Sequence, residues 1–310
     1  MRVAAIVLNF RLPEATALLL DDLLHGSAGD LGVILVENGS GDDSAARLRQ
    51  RFGADARVEL VESADNLGYC AGVNVGLRRA RERGAVYALL VNNDARVPPD
   101  LVPRLVAVLD ADPALAGVSP TIVEPSGRTW CQGGRRRFGP NGVVLQNQGR
   151  PPAPTTAGPE QVDFLTGACA LYRLVDLAAV GDLDETYFMY VEDVDLGLRL
   201  AAAGRRLAWI PWLRVEHAAS SASGGGRSPL RKFFSAVNTV RLLRRHGRAR
   251  DWLAFALFDV LLWPLTLVTG PAASLAKARG LVAGLFGRRL TAADVDRYLP
   301  PPRRAAQSRS

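Results

Sequence analysis

The chain has 310 residues, 48% of them apolar and 22% charged, which is long enough to bury a sizeable core unaided and too apolar for a disordered chain. Its three cysteines, Cys70, Cys131 and Cys169, stand far apart without a C-x-x-C pair; this excludes a disulfide scaffold, suggests neither a zinc nor a redox motif, and points to a reducing compartment. The net charge of +7 is unevenly placed: residues 1–225 hold 22 Lys and Arg against 27 Asp and Glu, and residues 226–310 hold 16 against 4, so an acidic domain is followed by a basic tail.

Met1–Leu8 carries one charge and too short an apolar run for a signal peptide, and reads as a first strand. The strand candidates are Ile6–Phe10, in which that first strand ends, Val33–Glu37, Val58–Val61 and Ala88–Val91. Between them Pro13–Leu24, Asp43–Phe52, Ala71–Arg83 and Asp100–Leu109 have apolar residues at helical spacing. This alternation predicts an α/β domain of nucleotide-binding type around a mostly parallel sheet. From Glu124 to Gln161, Gly, Pro, Gln and Arg predominate, and a long, partly mobile excursion is expected there. Val162–Arg173 reads as a strand, a helix begins near Val191 and ends at Gly204, and Leu207–Pro211 and Leu213–His217 read as two short strands. Ser220–Ser228 is a Gly/Ser hinge where the charge reverses. Beyond it lie a basic helix, Pro229–His246, an apolar stretch, Trp252–Thr269, and a second apolar helix that follows Gly270-Pro271 and ends near Phe286. The apolar stretch is borderline for a span and contains Asp259, so an interfacial or re-entrant hairpin flanked by arginines fits better than a transmembrane helix. A soluble helical cap or a dimer interface is the alternative.

Five constellations could carry chemistry. Glu37-Asn38-Gly39-Ser40-Gly41-Asp42 follows a strand, where a polar turn can grip a base or ribose, although such pairs also form ordinary turns. In Asn66–Gly76, Gly68, Gly72 and Gly76 recur every four residues while Asn66 and Asn74 offer amides; close ligand approach and tight helix packing both explain this spacing. Asn92-Asn93-Asp94 ends another strand, where one carboxylate flanked by amides could seat a diphosphate-bound divalent metal or simply form a turn. Glu192, Asp193 and Asp195 open a helix. Acids are welcome there for electrostatic reasons alone, but Asp193 is the better candidate for a general base. His217, at a strand end, is either structural or a second ligand for a metal at Asp94.

Taken in order, these segments resemble family 2 glycosyltransferases of the GT-A fold, most closely their bacterial rhamnosyltransferase-like branch. The resemblance runs from about Val3 to His217. It rests on Asn66-x-Gly68-Tyr69-x-x-Gly72-x-Asn74-x-Gly76, Asn92-Asn93-Asp94, Thr166-Gly167-Ala168 and Phe188-Met189-Tyr190-x-Glu192-Asp193-x-Asp195-Leu196-x-x-Arg199. It implies that Leu8, Asn9, Glu37 and Asn66 border the nucleoside, with Asn38, Gly68, Asn74, Asn92 and Asn93 completing the nucleotide-sugar site. Asn92-Asn93-Asp94 replaces the family's D-x-D, leaving Asp94 as the carboxylate ligand of Mg²⁺ or Mn²⁺ and His217 as the second. Thr166, Gly167 and Ala168 line the sugar and acceptor pocket, on which the 124–161 excursion also bears, and Glu192 and Asp193 supply the catalytic base. The implied activity is inverting transfer of a sugar from a nucleoside-diphosphate donor to a glycan or polyprenyl-linked acceptor in cell-envelope polysaccharide synthesis. The tail would hold the enzyme, as a peripheral or monotopic protein, at the cytoplasmic face of the plasma membrane. A nucleotidyltransferase is a weaker reading, because Asn9–Pro13 lacks a basic, glycine-rich triphosphate loop. A nucleic-acid-binding protein would explain the basic tail but not its long apolar runs, and no nucleic-acid partner is expected.

Overall fold

In a computed structural model of the chain, residues 1–26, 30–137, 143–153, 158–218, 228–268 and 270–299 are described. The first half is built from β1 (Val3–Asn9), α1 (Pro13–Gly26), β2 (Leu31–Asn38), α2 (Ser44–Phe52), β3 (Val58–Ser63), α3 (Tyr69–Glu82), β4 (Tyr87–Asn92), the short β5 (Ala95–Arg96), α4 (Leu101–Ala111) and β6 (Leu115–Val123). After β6 come β7 (Thr129–Cys131), β8 (Gly134–Arg136), β9 (Val143–Leu145), β10 (Glu160–Val162), β11 (Cys169–Arg173), α5 (Leu174–Ala179), α6 (Glu192–Ala202) and β12 (Arg206–His217). Among the described residues, ten strands join in one sheet along the order β10-β12-β6-β11-β4-β1-β2-β3, with β5 on β12 and β7 on β6.

β1, β2 and β4 are nearly continuous apolar runs because they are covered on both faces, as central parallel strands must be. In β1, Val3, Ala5 and Val7 enter one core while Ala4 and Ile6 enter the other, so one strand serves two layers. The parallel register sets Leu8 beside Asn92 and Asn9 beside Glu37, which gathers the polar strand ends along one edge. β11 runs antiparallel to both β4 and β6, and β12 is parallel to β6, so His217 at the end of β12 reaches that same edge. The start of β11, just after Ala168, also lies there.

Three expectations are corrected. Val162–Arg173 is not one strand: β10 and β11 are separated by the turn that carries Thr166 and Gly167. Leu207–Pro211 and Leu213–His217 are one strand, β12, whose pairing with β6 shifts register between Ile210 and Arg214; Pro211, lacking an N–H, lies in the interruption. The 124–161 excursion contains a two-stranded sheet, β8 with β9, and strand β10 on the edge of the main sheet, while 138–142 and 154–157 fall outside the described residues.

The expected hinge at Ser220–Ser228 is outside the described residues apart from Ser228, whose hydroxyl accepts from the Arg231 N–H at 3.2 Å to cap α7 (Pro229–His246). α8 (Ala249–Phe255) runs on into a π turn, 256–261, and a 3-10 segment, 263–268, before α9 (Pro271–Leu285) and α10 (Ala292–Tyr298). A Cβ on Gly280 would lie 2.4 Å from the Phe233 carbonyl oxygen, so α9 crosses α7 at a distance only glycine permits. Asp259 is paired with Lys277 at 2.7 Å, which joins the π turn to α9. Among the described residues, no helix is long and apolar enough to cross a membrane.

Candidate active site

A cavity of about 320 Å³ opens at the carboxyl edge of the sheet. The strand ends contribute Leu8, Asn38, Asn92, Asn93, Asp94 and His217; the turn before β11 contributes Thr166, Gly167 and Ala168; the start of α6 contributes Glu192 and Asp193; Asn66 completes the set. One cavity thus holds most of the residues singled out in sequence. Asn9, Glu37, Gly68 and Asn74 do not line it. Glu37 is buried and its carboxylate accepts the Gly39 and Ser40 N–H groups at 3.2 and 3.0 Å, so it shapes the turn after β2. Asn9 accepts from the Thr16 hydroxyl at 2.7 Å, and that hydroxyl accepts in turn from the Asn93 amide at 3.0 Å, forming a buried polar chain beneath the floor. Asn74 reaches away from the cavity to the Leu183 carbonyl and the Glu185 carboxylate. Gly68 has φ +84°, and a Cβ there would lie 2.7 Å from the Phe188 ring. Of the two explanations for the glycine spacing, tight packing accounts for Gly72 and Gly76, which face Leu8 and Ile6 of β1.

His217 is buried, with Nε2 2.9 Å from Asp94 Oδ1 and 3.2 Å from Asn92 Nδ2, and its ring meets Trp130 edge-on with centroids 5.0 Å apart. The demands on Nε2 conflict: the carboxylate asks for a proton and the amide asks for a lone pair. A divalent cation held between Asp94 and His217 would replace the proton the carboxylate asks for, at the expense of the Asn92 amide contact, and a carboxylate oxygen beside an imidazole nitrogen at the cavity fits such an ion. Among the described residues no group of three or more His, Cys, Asp or Glu gathers as a metal site. The remaining ligands would therefore be oxygens of a bound diphosphate and water.

The acid pair is presented by an unusual backbone. Phe188, Tyr190 and Val191 all have positive φ, at 61°, 67° and 73°, and for a β-branched residue such as Val191 this is a true outlier. α6 starts immediately after. Burial raises the pKa of Glu192, with the neighbouring Asp193 charge adding to it. Burial also raises Asp193, less far, opposed by the Val194 N–H that its carboxylate accepts at 2.8 Å and by the Arg231 charge. Among the lining residues, three buried polar atoms have no hydrogen-bond partner: Thr166 Oγ1, Glu192 Oε2 and His217 Nδ1. Such atoms are costly unless a ligand engages them.

The sequence reading tied the 124–161 excursion to the acceptor pocket but named none of the wall residues, and it gave the tail no part in the cavity. Trp130, Val143 and Leu145 come from the 124–161 excursion, and Leu230, Arg231, Ser235, Val295 and Leu299 come from the basic tail. A clue lay in the Pro229–His246 helix, whose apolar residues Leu230, Phe233, Phe234, Val237 and Val240 recur at helical spacing and need a surface to pack against. Asp195, by contrast, is a structural hub. It is fully buried and pairs with Arg199 at 2.7 Å and His246 at 2.8 Å.

Residues 6–181, more than half of the chain, match the family described as Glycosyl transferase family 2. The chain belongs to this family. The glycosyltransferase is 29% identical over 218 residues to the N-acetylglucosaminyl-diphospho-decaprenol L-rhamnosyltransferase of Mycobacterium tuberculosis, covering 64% of this chain and 69% of that one. It is 27% identical over 274 residues to galactofuranosyltransferase GlfT1 of the same organism, covering 83% and 88%. It is 45% identical to rhamnosyltransferase WbbL of Escherichia coli over 56 residues, 18% of this chain and 21% of that one. Among solved structures it resembles GalNAc-T7 with UDP, GalNAc and Mn²⁺ (TM-score 0.64, 13% identity, 99% of this chain and 59% of that one). A second likeness is to the mannosyltransferase PcManGT of Pyrobaculum calidifontis with GDP-Man and Mn²⁺ (TM-score 0.61, 17% identity, 93% and 88%). At such identities these likenesses establish the fold, which is GT-A-like. The nucleotidyltransferase and nucleic-acid readings find no support in any of these matches.

Proposed function

We propose that the glycosyltransferase moves rhamnose, or a closely related hexose, from a nucleoside-diphosphate donor to a hydroxyl of a polyprenyl-linked or glycan acceptor in cell-envelope polysaccharide synthesis, with inversion at the anomeric carbon. The observation that carries this reading is the convergence of Asp94–His217 and Glu192–Asp193 on one cavity whose buried polar atoms lack partners. Asp193, open to the cavity, takes the proton of the acceptor hydroxyl. Glu192, buried and held neutral, avoids a second charge beside it. Asn66, Asn92 and Asn93 offer their amides to the donor, Asn38 holds the Asn66–Gly68 turn by donating to Asn66 Oδ1 and the Gly68 carbonyl and accepting from the Leu67 N–H, and Thr166 presents its hydroxyl to the sugar. Mg²⁺ or Mn²⁺ at Asp94 and His217 supplies charge neutralisation for the departing diphosphate.

The polyprenyl acceptor is supported by the name of the mycobacterial rhamnosyltransferase, and the membrane surface by the tail. Its exposed apolar side chains include Leu253, Leu265, Val268 and Phe286, between Arg248 and Arg250 on one side and Arg288 and Arg289 on the other. Such a surface fits the cytoplasmic leaflet, which is anionic.

The test is a thermal-shift panel of the purified chain with UDP, dTDP and GDP, each with and without Mn²⁺. Stabilisation by one nucleotide that requires the metal is expected, about 2.7 kcal/mol at one hundred times Kd. No shift with any of the three would reject the assignment.

A further inference from the structure

The loop that carries the acid pair is held by the tail. Every carbonyl from Tyr187 to Val191 has an identified partner: Phe188 O accepts from the Cys70 N–H at 3.1 Å, Val191 O from the Asp195 N–H at 3.1 Å, and Tyr187, Met189 and Tyr190 O all accept from the Asn238 carboxamide, at 2.8, 2.8 and 2.9 Å. Asn238 lies on α7, about fifty residues away, and is fully buried. Its two amide hydrogens are shared among three oxygens. Its orientation is fixed by Arg241, which can only donate and is bonded to Asn238 Oδ1, so the NH₂ must face the loop. The same helix supplies Phe234, packed against the Phe188 ring with centroids 5.7 Å apart.

We propose that Asn238 is a positioning residue for catalysis: its carboxamide holds the left-handed turn 188–191 in the form that aims Asp193 into the cavity. Left-handed Tyr190 and Val191 persist only where the surroundings over-determine them, and one buried side chain that serves the Met189 and Tyr190 carbonyls, together with the Tyr187 carbonyl that also accepts from the Met189 N–H at 2.7 Å, is such a constraint. Without it the turn relaxes and α6 begins at a different angle, so Asp193 loses its aim while the Asn92 and Asn93 amides that hold the nucleotide, at the end of β4, stay in place. The basic tail is in this way part of the catalytic apparatus as well as a wall of the cavity. The inference rests on Asp193 as the base of the proposed transfer.

The experiment compares the full chain with Asn238→Ala, Asn238→Asp and Arg241→Gln. Three readouts are used: amide hydrogen exchange of the 187–195 segment, nucleotide-dependent thermal shift, and kcat and KM for the sugar nucleotide across pH. Expected are faster exchange confined to 187–195, an unchanged nucleotide shift, kcat lowered on the order of 100-fold for the two Asn238 variants, and a displaced acid limb. Arg241→Gln, which keeps the carboxamide but frees its orientation, should show the same signature more weakly and remains informative if the Asn238 variants do not fold. Exchange, kcat and acid limb matching the parent in the folded variants would overturn the clamp. A parent that turns over no sugar nucleotide would instead reject the proposed function, and the exchange result would still decide whether Asn238 holds the loop.

Discussion

Glu192 and Asp193 are consecutive carboxyls, and burial raises the pKa of both, Glu192 the further. A carboxyl with a raised pKa keeps its proton to higher pH. Near neutrality Glu192 is therefore still protonated while Asp193 has ionised, and the pair carries one negative charge, which suits a base acting beside a departing diphosphate. The sign of the pH dependence follows. Activity rises as Asp193 loses its proton, so the acid limb of kcat should lie above the ordinary aspartate value of about 3.9. Asp193→Asn removes the acceptor for the hydroxyl proton without touching Asp94 or His217. It should lower kcat by about 10² to 10⁴, abolish the acid limb, and leave the nucleotide thermal shift intact. Turnover within about threefold of the parent, set against the general-base contribution just cited, would show that another group takes the proton.

Among the elements, α3 and the 188–191 turn make the tightest fit. Gly68 combines φ +84° with ψ 170°, a region essentially reserved for glycine, and its missing side chain admits the Phe188 ring. Gly68→Ala should cost about 1–3 kcal/mol for the backbone alone, with further loss from the overlap, and should disturb the acid pair through Phe188. A urea denaturation midpoint and kcat both equal to the parent's would refute this. The sequence made the alternation β1 to α4 legible, apart from the short β5, because β1, β2 and β4 are apolar runs and the helices between the strands carry apolar residues at helical spacing. It also made the polar strand ends legible, because their side chains close a buried core at an open edge. Asn74 was misleading: an amide at the right spacing satisfies Leu183 and Glu185 instead of a ligand. The walls from the excursion and from α7 and α10 were not legible, since Trp130, Arg231 and Asn238 act across long sequence separations that no local periodicity encodes. Pro211 hid the continuity of β12, because a residue without an N–H looks like an end when it is only an interruption.

Over the whole molecule, the uneven charge acquires a geometric meaning. α7 turns Leu230, Arg231 and Ser235 toward the cavity and packs its buried face against the acid-pair loop. The hairpin from α8 to α9 is closed internally by Asp259–Lys277 and by the Trp263 indole donating to the Ser274 carbonyl at 2.8 Å. With those polar groups paired inside, what the hairpin presents outward is apolar: Val268 is 89% exposed, Phe286 86% and Leu253 72%. Each such side chain fully buried in an apolar phase is worth about 1.5–3 kcal/mol, and each arginine near an anionic surface about 1 kcal/mol, so a few of each suffice for reversible binding. The full chain should float with anionic liposomes at low salt. High salt, which screens only the arginine contribution, should weaken flotation without abolishing it. Val268→Asp with Phe286→Asp, at side chains that contribute little to the folded core, should release the protein while leaving melting temperature and nucleotide binding unchanged. Parent protein that stays in the soluble fraction at both salt concentrations would make the hairpin a surface for another protein, and the acceptor would then have to reach the cavity from solution.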